Sequence, residues 1–236
     1  MTSIRDTPYN MRCISPGERQ QEELNMNNRK HDTKWMVGVA LTVAIVVLLA
    51  NTPLGYIPLP ITKATTVHIP VMLGAIVFGP LAGAILGGAM GVCSIISNTL
   101  TPSLTSFAFS PFMSTTGLSG AVKALWISVG CRILIGVVAG VLWIILKKCR
   151  VRQHISLAIV GFVGSMTNTV CVMGSIYFLL GQEYAQARNV AMEALMGLIM
   201  GTVTLNGIPE ALAAMVLVTA IGMALLRFTK AGKASA

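Results

Sequence analysis

An all-α integral membrane protein of six spanning helices is the fold class this sequence predicts, and three observations predict it. Apolar residues fill 54% of the 236 positions and charged residues only 11%, with a mean hydropathy of +0.75; a soluble domain carries about 25% charged residues. The acidic residues are segregated. Asp6, Glu18, Glu22, Glu23 and Asp32 precede residue 34, leaving only Glu183, Glu193 and Glu210 beyond it. Lys and Arg gather beside apolar runs, which is an orientation signal. The net charge of +9 is therefore read as membrane topology rather than as affinity for nucleic acid.

Residues 1–33 are polar, lack an apolar face and are predicted to form a disordered cytoplasmic leader. Helix 1, Trp35–Ala50, follows Lys34 and is read as a signal anchor, since no small-residue cleavage site follows it. Val67–Phe78 and Leu81–Ser97 are split at Gly79-Pro80. As one helix the two would run about 46 Å, too long for a hydrocarbon core of roughly 30 Å, and Gly-Pro is a natural break. Helix 4 is placed at Trp126–Leu146, helix 5 at Ile155–Leu180 and helix 6 at Ile208–Phe228, with residues 231–236 a short cytoplasmic tail. The spanning domain is thus residues 34–230.

Six spans put both termini in the cytoplasm, with the basic leader, Lys147, Lys148, Arg150 and Arg152, and Arg227, Lys230 and Lys233 on that side. Merging helices 2 and 3 would push the 147–152 cluster outside, against the positive-inside rule. The chain is accordingly expected in the plasma membrane as a multi-pass protein.

Three outer segments remain. Asn51–Thr66 holds Pro53, Pro58 and Pro60 and is excluded from regular helix. Asn98–Ala124 is rich in Ser, Thr, Pro and Gly, with Pro102 and Pro111 framing Ser106-Phe107-Ala108-Phe109-Ser110. Gly181–Gly207 starts polar and turns amphipathic around Met192–Thr202. Connections of this length over a bundle commonly serve as lids or binding loops.

Small residues recur every four positions at Gly83, Gly87 and Gly91, at Gly136 and Gly140, and at Ala40 and Ala44. The glycine faces are expected to pack helix on helix. The Ala40/Ala44 face stays open between internal packing and docking of a second membrane subunit.

Polar groups inside apolar spans are costly unless paired or hydrated. Arg132 lies about 9 Å below the outer end of helix 4, Glu210 near the outer start of helix 6 just after Asn206, and Asn168 midway along helix 5. Tyr177 lies farther out on the same helix, and Asn98 closes helix 3. Lys63, Thr65, Thr66 and His68 lie above them in sequence order. Two readings stay open: a polar pocket opening outward, or an Arg132–Glu210 structural ion pair bridged by amides.

No G-x-x-x-x-G-K-[ST], G-x-S-x-G or H-E-x-x-H pattern is present. Catalytic residues, a cofactor and a metal site are not expected, the last because the five cysteines lack ligand spacing. Glu210 alone gives a thin basis for a stand-alone proton-coupled carrier of a small organic anion.

The stretch Thr65–Pro80, continuing Leu81-Ala82-Gly83-Ala84-Ile85-Leu86-Gly87, resembles the substrate-binding (S) components of energy-coupling factor (ECF) vitamin transporters. Ser97-Asn98-Thr99 with Phe109-Ser110-Pro111-Phe112, Arg132–Gly136, Thr167-Asn168-Thr169 and Asn206–Ala211 extend the likeness over nearly everything after residue 34. The resemblance implies an outward vitamin site roofed by the loops after helices 1 and 3. It also implies partners: a transmembrane coupling protein, met through Ala40 and Ala44, and two ATPase subunits whose turnover topples the S component to release substrate inside. Thr-x-His-Ile-Pro and Phe-Ser-Pro-Phe favour the pantothenate branch, with riboflavin next. Lys63, Thr65, His68, Asn98, Arg132, Asn168, Tyr177, Asn206 and Glu210 are the expected substrate contacts.

Overall fold

A computed structural model describes residues 16–52, 55–58, 63–102, 106–113 and 117–234, with the backbone alone for 16–32, 56–58, 63–65 and 228–234. The chain divides into two units, Met1–Gly38 and Val39–Ala236. Residues 1–15 and 235–236 of the predicted leader and tail lie outside the described residues.

Helix α1 is Pro16–Ala50, followed by a small antiparallel pair, β1 Tyr56–Pro58 and β2 Lys63–Thr65, with Tyr56 opposite Thr65. Helix α2 is His68–Phe78 and α3 is Pro80–Leu100. The break at Gly79-Pro80 is real: Gly79 takes φ +96°, a left-handed region that suits glycine, and Pro80 opens the next helix where its missing N–H costs nothing. Helix α4, Gly117–Leu125, passes through a π-helical turn, Trp126–Gly130, into α5, Cys131–Lys148. Helix α6 runs Gln153–Ala187 with a non-helical residue at Leu180. Helix α7, Met192–Thr202, passes through a second π turn, Val203–Gly207, into α8, Ile208–Ala234.

Among the described residues five segments are long and apolar enough to cross a membrane: Thr33–Ala50, Pro80–Leu100, Gly117–Lys148, Gln153–Ala187 and Met192–Arg227; α2 is a shorter apolar helix. A six-helix membrane bundle therefore stands, with three boundaries corrected. The expected loop Asn98–Ala124 ends earlier, because Gly120 and Ala124 bury one face of α4 and the π turn carries that helix into α5. The fifth span runs on to Ala187 instead of Leu180. The amphipathic stretch Met192–Thr202 is helical and continues into the sixth span.

Helices α3 and α5 pack with backbones touching, as the glycine spacing predicts. A Cβ on Gly83 would strike the Gly136 carbonyl, one on Gly87 the Arg132 carbonyl, and one on Gly91 would come within 2.7 Å of the Ser128 carbonyl and Val129 Cα. Gly140 meets Pro80 in the same manner. Ala40 and Ala44, by contrast, are both exposed, beside Leu41 and Leu48 at 64% and 65% exposure. Internal packing is thus not their role.

Candidate functional site

Among the described residues three apolar clusters fill the bundle, and two of them flank the polar groups. The first unites Met72 and Ile76 of α2, Ile135 and Ala139 of α5, Val160 of α6 and Ala214 and Val218 of α8. The second holds Ala108, Ile127, Cys131, Val172, Ile176 and Leu195, with Phe107, Phe109 and Tyr177 against it. Between them α2, α5 and α8 each contribute a polar residue at helical spacing from an apolar neighbour. His68 is four residues before Met72, Arg132 three before Ile135, and Glu210 four before Ala214. Gly164 sits against the Met72 side chain and within reach of Ala139, so Asn168, one turn further along α6, shares that face.

Arg132 is 7% exposed. Its guanidinium lies 5.5 Å from the centre of the Phe109 ring, and Nη1 donates to the Ile127 carbonyl at 3.3 Å. A cation over an aromatic face gains about 0.5–2 kcal/mol, the more so when desolvated. Phe109 thereby ties the loop to the charged layer. His68, 1% exposed, places Nδ1 3.5 Å from Glu210 Oε1. Glu210 thus contacts α2, and Arg132 contacts the loop.

Asn168 and Ser165 lie three residues apart on α6. The buried Asn168 Oδ1 and Ser165 Oγ make no hydrogen bond among the described residues, and neither does Asn206 Nδ2. Gly207 packs against the Thr169 side chain, which brings the turn bearing Asn206 beside the turn bearing Asn168. Such orphaned groups are rare, and each costs on the order of 1–3 kcal/mol where water is excluded.

Asn98 serves a different purpose here. Its Nδ2 donates to the Ser94 carbonyl at 2.8 Å, and its Oδ1 accepts from Ser106 Oγ at 3.3 Å. Thr99 and Ser110 share a hydroxyl contact of 2.8 Å. Together they fasten the Ser106–Ser110 segment across the end of α3. Tyr177 belongs to the second apolar cluster, edge-on to Phe178 at 5.3 Å between centroids. Lys63 and Thr65 sit on β2, and their side chains lie outside the described residues. A separate open cleft of about 790 Å³ lies between α6 and α7, lined by Gln182, Gln186, Asn189 and Met192. Its lining carries no charge, so the buried polar layer is the stronger candidate.

Phe109 and Ser165 are members that residue spacing did not single out. Ser165 carried a signal, being three residues before Asn168 on one helix face. Phe109 stood out only within the Phe-Ser-Pro-Phe stretch, because its partner, Arg132, arrives through tertiary packing.

The sequence matches the family described as "ECF transporter, substrate-specific component" over residues 34–222. A pantothenic acid transporter, PanT, of Lactococcus lactis subsp. cremoris is 31% identical over 204 residues, covering 86% of this chain and 97% of that one. A pantothenate transporter of Leuconostoc mesenteroides subsp. mesenteroides is 29% identical over 213 residues, 85% and 95% of the two chains. With the five apolar spans, these relatives place the chain in the plasma membrane as a multi-pass protein.

Proposed function

The chain belongs to the family of ECF transporter substrate-specific components, and from that premise we propose that it captures pantothenate in the polar layer for ATP-driven uptake by partner subunits. The observation that carries this reading is the set of orphaned polar atoms, Asn168 Oδ1, Ser165 Oγ and Asn206 Nδ2, in a bundle that also buries an arginine, Arg132. Polar atoms in an apolar setting call for partners. Pantothenate offers a carboxylate, an amide and two hydroxyls. Arg132 is suited to the carboxylate, since a guanidinium binds carboxylates through paired, charge-assisted hydrogen bonds. Asn206 Nδ2 is a donor and Asn168 Oδ1 an acceptor, the pair an amide needs. His68, Glu210 and Ser165 supply polar contacts for the hydroxyls. Phe109 and the segment fastened by Asn98 form the cover, with Tyr177 behind it and Lys63 and Thr65 on the neighbouring hairpin.

In this reading both termini face the cytoplasm, as the basic residues at the α5–α6 turn favour. A transmembrane coupling protein docks on the exposed Ala40/Ala44 face, and two ATPases drive release. Isothermal calorimetry on the purified chain, without nucleotide, tests the capture step. Saturable binding of pantothenate is expected; binding of riboflavin instead would move the substrate to the other branch, and silence across a B-vitamin panel would end the proposal.

A second reading, a proton-coupled carrier acting alone, draws on the buried His68–Glu210 contact. Liposomes holding only this chain would then accumulate the anion under a pH gradient.

A further inference from the structure

A π turn, Trp126–Gly130, precedes Arg132. In an α-helix the Cys131 N–H would bond the carbonyl of Ile127, four residues back. Here it donates to Trp126, five residues back. The Ile127 carbonyl is released from that bond and receives Arg132 Nη1 at 3.3 Å. The wider turn thus provides a fixed acceptor that draws the guanidinium back along its own helix, beside the Phe109 ring. Helix α5 cannot rotate to do the same, because Gly87 and Gly136 press its backbone against α3.

Ser128 stands in the middle of this turn, fully buried. Its hydroxyl donates to the Ala124 carbonyl at 2.8 Å and reaches the Leu125 carbonyl at 3.4 Å. Back-bonding of this kind satisfies carbonyls and bends helices. The second π turn repeats the device: Thr204 Oγ1 donates to Met200 and Gly201 carbonyls at 3.0 and 3.1 Å, and Asn206 sits in that turn. Single π turns inside α-helices occur often at functional sites. Two of them, each bearing a back-bonded hydroxyl and each next to a polar member of the layer, give that tendency a physical basis.

We propose that Ser128 is a positioning residue: by holding the Trp126–Gly130 π turn it aims the Arg132 guanidinium at the ligand's carboxylate and so sets the preference for an anionic substrate. The proposal rests on the capture reading above. Binding of pantothenate and of pantothenol, which has a hydroxyl in place of the carboxylate, separates the two. The wild-type chain should bind pantothenate more tightly than pantothenol. Ser128→Ala should weaken pantothenate by about fivefold, the loss of roughly one hydrogen bond's worth of positioning, and leave pantothenol unchanged. Ser128→Thr, which keeps the hydroxyl, should restore the preference. Equal weakening of both ligands, or no change in either, would overturn the role of Ser128. Wild-type protein that binds neither ligand, or does not discriminate between them, overturns the capture reading itself and this proposal with it. Should the alanine variant fail to fold, Ser128→Cys, similar in size with a weak donor, is read by the same two ligands.

Discussion

Arg132 is held by an aromatic ring on one side and a carbonyl of its own helix on the other, so in the proposed capture reading its removal should act on ligand and loop together. Arg132→Ala should lower pantothenate affinity more than tenfold, since charge-assisted contacts are worth about 1.5–3 kcal/mol. Calorimetry on the folded variant checks this. Loss of folded protein with no separate effect on binding would make the guanidinium a structural fastener of Phe109. The orphaned amide gives an opposite signature. Asn168→Leu should abolish binding yet raise the melting temperature of the ligand-free protein, because a buried acceptor without a hydrogen bond is removed. The polar members of the layer were legible because charge and amides are conspicuous in apolar runs. What each one touches was not. His68 meeting Glu210, and Asn98 turning to Ser106, depend on which helices become neighbours, and residue spacing within one helix is silent on that.

At the scale of elements, glycine spacing and Gly79-Pro80 carried most of the information, since both act through local sterics. The contacts translate into a paired test. Gly83→Val should destabilise by about 1–3 kcal/mol, as its side chain has nowhere to go but into the Gly136 backbone. Gly174→Ala, with open space around it, should stabilise by up to about 1 kcal/mol through helix propensity. Thermal unfolding in detergent reads both. Boundaries were less legible. Ser, Thr and Gly around residue 117 read as loop, yet a π turn lets a short helix run on into α5. Likewise Leu180, with φ −131° and ψ 21°, interrupts α6 without ending it.

For the molecule as a whole, the exposed Ala40/Ala44 face is the surface proposed to meet a coupling protein. Ala40→Trp should leave vitamin binding intact and block uptake by the complete transporter; normal uptake of labelled pantothenate by cells carrying the variant would remove α1 from that role. The six-helix plan was readable because bilayer thickness fixes span length and basic residues mark one side. The shortest member shows what length alone leaves out. Helix α2 has 11 residues, most of them buried, and reaches about 16 Å against roughly 30 Å of hydrocarbon. A segment that short is a poor substrate for the cell's insertion machinery by itself. It is expected to enter the membrane as the first arm of a hairpin with α3, closing at Gly79, and to gain its remaining cover once α5, α6 and α8 have been made. Biogenesis of this bundle should therefore be ordered: a nascent chain arrested after Phe78 should carry one settled span, and the polar layer should assemble only once synthesis has passed Glu210.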